Sequence, residues 1–187
     1  LATRVNGALK ETGLQSTINV KLMRQNSLAT ASPAEVVAFS NRLDDLMRQA
    51  NGADSAIKTV LTELKAIKQT LPRSGADSSL RTTARTLELG LLDLQLQLSG
   101  DAARDLAGDV GPVSVARRIN VAQLGTSFSS YGPTPTHERS LEIAEQQFAG
   151  IKTELDQVFS TDLPALRKAM DEAGVPWTPG RGVPASH

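Results

Sequence analysis

The chain has 187 residues, with 20 basic and 20 acidic side chains that cancel, no cysteine, and aromatics at only 3%. The balance of charge gives no field favouring nucleic acid or an anionic membrane, and no apolar run approaches the ~20 residues needed to span a bilayer. Without cysteine there is no disulfide, thiolate nucleophile or cysteine-held metal, so the core must be aliphatic and chemistry must come from other groups.

The opening Leu1-Ala2-Thr3 has no initiator Met and no signal-peptide pattern, which suggests a fragment or processed product of something larger. Residues 1–24 read as a β-hairpin. Asn6-Gly7 is a turn signal, and Thr17-Ile18-Asn19-Val20-Lys21-Leu22 alternates polar and apolar like a half-buried strand. A lone hairpin is barely stable in water. It either packs on the helices or is the remnant of a preceding β domain, and the second is favoured.

Residues 25–174 read as a helical bundle. Ser32-Pro33-Ala34-Glu35 carries a capping box with proline at the first helical position. From Val36 the apolar or small residues Phe39, Leu43, Leu46, Ala50, Ala53, Ile57, Val60, Leu64, Ile67 and Leu71 alternate steps of three and four. That is the seam of one unbroken helix packed along another. Leu71-Pro72 ends it, and the short link Arg73–Ala76 turns the next helix back antiparallel. That second helix, about 77–98, carries Leu80, Ala84, Leu87, Leu91, Leu94 and Leu98 on one face. Leu89, Leu92 and Leu96 add a second stripe, which places it between two neighbours.

Residues 101–111 allow a short helical turn. Gly111-Pro112 opens a third helix to about Gly125, with Val115, Ile119 and Ala122 on one side. Thr134-Pro135 caps a fourth, whose seam is Leu141, Ala144, Phe148, Ile151, Leu155 and Val158. Leu163-Pro164 should kink or restart it before Gly174. Residues 175–187, rich in Pro and Gly, read as an extended tail crossing a surface. The expected fold is mainly α: an antiparallel bundle of about four long helices with a short N-terminal β-hairpin.

The search for chemistry yields little. No phosphate loop, nucleophile elbow or zinc spacing occurs, so no catalytic residue, metal ligand or cofactor is assigned. Glu138, Glu142 and Glu145 share one helix flank and read as a solvated face, as do Asp44-Asp45 and Asp171-Glu172. Arg117-Arg118 reads as a salt-bridging pair toward a neighbouring helix. His137, in the first turn of the fourth helix, reads as a surface or packing residue. The residues left as candidates for a binding surface are Tyr131, His137, Trp177 and Arg181. Tyr131 and Trp177, the only Tyr and Trp, could stack on a sugar or a partner, or pin irregular segments to the bundle.

These segments carry a resemblance. Tyr-Gly-Pro-Thr-Pro-Thr-His at 131–137, continuing Arg139-Ser140-Leu141-Glu142-Ile143-Ala144-Glu145, resembles the C-terminal helical region of bacterial sortilin-like proteins. Asp162–Leu166 and Gly174-Val175-Pro176-Trp177-Thr178-Pro179-Gly180-Arg181 look like that family's closing segments, and Arg4–Gly7 with Ile18–Val20 is similar to the last hairpin of its small β domain. Such proteins contain BNR (Asp-box) β-propellers and are commonly labelled glycosyl hydrolases. The resemblance implies the tail of a large exported protein whose site would lie in a propeller outside this sequence; no Asp-box appears here.

The expected role is therefore a non-catalytic helical module that braces or dimerises its parent. Its partners would be the parent's own propeller and β domains or a second copy, with no nucleic acid and no membrane span. The alternatives are a glycan- or peptide-binding module near Tyr131 and Trp177, and a fragment lending residues to a propeller active site.

Overall fold

Ser32 fixes the start of the first helix: its hydroxyl accepts the Glu35 amide at 3.2 Å while the Glu35 carboxylate accepts the Ser32 amide at 2.7 Å. This capping box opens α1 (Pro33–Thr70), 38 residues without a break and about 57 Å long. The computed structural model describes residues 2–6, 8–13, 15–19, 30–108, 111–128 and 130–182. The chain divides into two compact units, Leu1–Thr30 and Ala31–His187, and the fold is mainly helical.

In the first unit, β1 (Ala2–Val5) pairs antiparallel with β2 (Ala8–Glu11), Val5 opposite Ala8 and Ala2 opposite Glu11. The two-residue connection falls on the expected Asn-Gly. Asn6 takes φ 50°, a left-handed conformation that asparagine tolerates. The strand expected at 17–22 is not formed over 17–19, which lack regular structure; 20–22 lie outside the described residues. β1 and β2 pair with each other, and Ile18 is exposed, so among the described residues no sheet face lies against 17–19.

In the second unit the α1 seam is buried from Phe39 through Leu43, Leu46, Ala50, Ile57, Val60, Leu64 and Ile67 to Leu71. A 3₁₀ turn, Leu71–Arg73, carries the proline. Asp77 then caps α2 (Ser78–Ser99) by accepting the Ser79 amide at 2.7 Å. Lys68 meets Glu88 near the shared end, and Ser99 reaches Asp54 at 3.2 Å halfway down α1. α2 therefore runs back antiparallel over the later half of α1.

After Gly100 come the short α3 (Ala102–Leu106) and then α4 (Val115–Ser127). α4 starts later than Gly111-Pro112 because Ser114 is the residue able to cap it, accepting the Arg117 amide at 3.3 Å. α5 (Pro135–Gln157) packs antiparallel on α4: the Ser140 hydroxyl donates to the Arg118 carbonyl at 3.0 Å, and His137 lies against Gly125. A π-helical turn, Val158–Asp162, joins α5 to α6 (Leu163–Glu172). In an α-helix the Pro164 ring would collide with the carbonyl four residues back. The wider turn removes that clash, and the seam steps five residues there, from Val158 to Leu163, so Leu166 and Met170 stay buried.

The joined α5–α6 runs parallel to α1. Arg42 pairs with Glu138 and Glu145 near the start of α5, and Glu63 pairs with Arg167 on α6. α2 and α4 share the opposite direction and follow one another along this pair. Four long helices thus form three rods, the middle one interrupted at residues 100–114.

Leu89, Leu92 and Leu96 face outward, at 50%, 43% and 39% exposure, because the inward face of α2 meets all of its neighbouring helices. Glu138 and Glu145, partly exposed on that flank, are joined to Arg42 across the helices; Glu142 bonds within its own helix to Arg139 at 3.1 Å.

Leu91→Ala should lower the unfolding free energy by about 2–5 kcal/mol, whereas Leu92→Ala should change it by under ~1 kcal/mol; denaturant melts of the two variants check the assignment of faces. Glu88 is one of the carboxyls that make stability depend on pH. Bonds from Lys68, then Arg85, hold its carboxyl below the usual carboxylate range. The unfolded chain, with a value near ~4.3, takes up the proton first. The contribution is therefore present above that value and is lost as pH falls through the depressed folded one. Glu88→Gln should reduce stability at neutral pH and flatten its decline below about pH 4, as read from melting temperature against pH.

Candidate functional site

The four candidate residues fall into two pairs held by separate contacts. Tyr131 and His137 sit at the α4–α5 junction. The Tyr131 carbonyl accepts the Ala31 amide at 3.1 Å, which ties the loop to the chain entering α1. His137 is the third residue of α5, and its Nδ1 accepts the Thr134 amide at 3.1 Å, the role an acidic residue more often plays in a capping box. Its ring fills the space beside Gly125, where a Cβ would lie 2.5 Å from Nδ1. This histidine closes a helix end and a helix–helix contact, and glycine is required opposite it.

Trp177 and Arg181 are brought together in the segment after α6. The Arg181 guanidinium is buried and has a partner on each nitrogen. Nε and Nη2 donate to the Asp171 carboxylate, the former at 3.1 Å, and Nη1 donates to the carbonyls of Val175 and Pro176 at 3.2 and 2.9 Å. Its own carbonyl accepts the Trp177 Nε1–H at 3.0 Å. Asp171, read from sequence as a surface acid, is thus half of a clasp. The anchors of the tail are Val175, Thr178 and Arg181, all buried, while the Trp177 ring stays 56% exposed. Residues 183–187 lie outside the described residues.

Sequence reasoning missed Glu63. It is buried on α1, accepts two bonds from Arg167 at 2.7 and 2.6 Å, and has Gly180 against its carboxylate. Gly180, at φ 91°, sits where any Cβ would collide with that group. The position adjoins the seam residue Leu64, the one hint that a carboxylate there would need a partner.

Where the middle rod is interrupted, a cleft of about 590 Å³ opens. Its walls include Asp93, Leu96 and Gln97 of α2, Asp101, Arg104 and Val113 of the crossing segment, and Arg117; Gln147 and Ile151 of α5 complete it. Asp93 accepts from Gln97 at 2.7 Å, and Asp101 accepts the Ala103 amide at 2.9 Å. A second groove of about 580 Å³ follows α4 and α5, with Arg117, Arg118 and Arg139 around Val113, Val121 and Ile143. Arg118, expected in a salt bridge, instead donates to the Gln147 side-chain oxygen at 3.0 Å. Among the described residues, no group of three or more His, Asp or Glu is placed to hold a metal ion, and no helix is long and apolar enough to cross a membrane.

No protein-family model matches the chain, and no match was found among curated proteins or among solved structures.

The clasp has a direct readout because Trp177 is the only tryptophan. Arg181→Lys loses the planar fork and should cost about 1.5–3 kcal/mol, with a red shift and lower anisotropy of Trp177 emission in the folded protein.

Proposed function

We propose that this chain is a non-catalytic helical module whose work is packing: it braces a larger exported protein, against that protein's propeller and β domains or against a second copy. The observation that carries the reading is how the polar side chains are used. His137 caps α5, Arg181 clasps the tail, and Arg42 joins Glu138 and Glu145. These polar groups are engaged in holding helices and loops in place. The sortilin-like parentage is supported by the segments 131–137 and 174–181 and by nothing beyond that resemblance.

A second reading, a glycan or peptide site, is favoured by one feature. The Trp177 ring is open to solvent while its Nε1 is fixed, so an aromatic face is presented at little entropic cost. Saturable quenching of Trp177 fluorescence by an oligosaccharide series would support it, and a flat titration would remove it.

Deleting residues 31–187 from the full-length gene product should lower its melting temperature or its oligomeric order and leave turnover of its substrate unchanged. Lost turnover at unchanged stability would overturn the module reading.

A further inference from the structure

We propose that residues 176–182 form a latch that opens as a unit while the helices stay folded, and whose closed position keeps the Glu63–Arg167 pair away from water. The device belongs to the fold itself and operates whatever the unit braces.

The root of the latch is fixed. α6 ends in a Schellman motif: the Gly174 amide donates to the Asp171 carbonyl and the Val175 amide to the Met170 carbonyl, both at 3.0 Å, with Gly174 at φ 63°. Val175 and Met170 are both buried, so Val175 belongs to the helix cap. Beyond it the chain is held differently. Within 176–182 the buried residues are Thr178 and Arg181, and both are polar. Most hydrogen bonds of the segment close on itself or on its root. The Arg181 amide donates to the Thr178 carbonyl at 3.3 Å, the Trp177 Nε1–H to the Arg181 carbonyl at 3.0 Å, and Arg181 Nη1 to the carbonyls of Val175 and Pro176. Toward the helices the bonds run to one acceptor, the Asp171 carboxylate, itself 48% exposed.

Closure therefore has no apolar anchor of its own, and it works against one buried group. The Thr178 hydroxyl is buried and, among the described residues, has no hydrogen-bond partner. Closing strips it of water without return. Opening restores water to that hydroxyl and to the Arg181 guanidinium, and it leaves the Schellman motif and the helical seams in place. A segment with this balance opens below the free energy of global unfolding. What closure contributes lies at Gly180, which packs against the Glu63 carboxylate with no room for a Cβ. It thereby covers the pair that Glu63 makes with Arg167 between α1 and α6. With the latch shut, Glu63 is buried; with it open, water and salt screen the pair. The α1–α6 contact thus has two settings.

Native-state hydrogen exchange, followed by NMR on the whole chain, tests this. The Trp177 indole N–H and the Arg181 amide should exchange together, at least about a hundredfold faster than the amides of residues 167–170 in α6. Thr178→Val keeps the side-chain shape without the unpaired hydroxyl and should slow both about tenfold. Asp171→Ala removes the acceptor on the helix and should speed both at least about tenfold, with unchanged far-UV circular dichroism. Gly180→Ala, whose Cβ must displace the segment from Glu63, should act in the same direction through a different contact. In either opening variant the Arg167 Nε–H, bonded to Glu63 at 2.7 Å, should lose protection in step with Trp177. Exchange of Trp177 and Arg181 at the rate of the α6 amides would mean that they open only on global unfolding, and would overturn the latch. So would a Thr178→Val variant in which exchange is unchanged or faster. An Arg167 Nε–H that keeps its protection while Trp177 loses it would overturn the link to the Glu63 pair.

Discussion

Burial of one continuous apolar seam along α1 is the constraint on which the second unit depends. A helix of 38 residues gains little from local hydrogen bonds alone, and most of its stability must come from packing its apolar face. A seam of that length needs covering along all of it. α2, at 22 residues, covers the later half, and α4, at 13, the earlier half. The segments of 23, 5 and 10 residues from α5 through the π turn to α6 lie alongside the whole. The cleft at residues 100–114 follows from that division: two shorter helices share one groove, and the chain must leave it to pass from the first to the second.

Ion pairs set the alignment of the rods. Arg42 with Glu138 and Glu145 fixes α1 against α5 near one end, and Glu63 with Arg167 fixes it against α6 toward the other. The first set is about 40% exposed and screened by solvent. Glu63 is different. Its carboxylate is buried, and removal of its partner would leave an uncompensated charge, so sliding α6 along α1 is disfavoured where simple apolar contact would tolerate it.

Most of this architecture was legible in the sequence because helical seams are periodic, and periodicity survives without tertiary information. The α1 seam, its capping box, the inward face of α2 and the α5 seam are all where spacing put them. What spacing could not show was which of two apolar stripes on α2 finds a neighbour, since Leu89, Leu92 and Leu96 have the same signature as Leu87, Leu91 and Leu94. Nor could it show long-range polar partners. Arg42, Glu63 and Arg181 look like ordinary charged residues until helices about a hundred positions away, or a tail folding back, bring their partners close. For the same reason the candidate residues Tyr131, His137, Trp177 and Arg181 were noticed for their rarity and setting, while the arginine-lined groove, spread over α4 and α5, left no local signal.

The direction of α1 sets the separation of two distant parts of this unit. The chain enters at Ala31, bonded to Tyr131 at the helix start, and its last described stretch lies at Gly180 beside Glu63, some thirty residues along. At 1.5 Å per residue those points are about 45 Å apart. The start of α1 and the clasped segment at Gly180 are therefore held toward opposite ends of the helical unit by one uninterrupted helix.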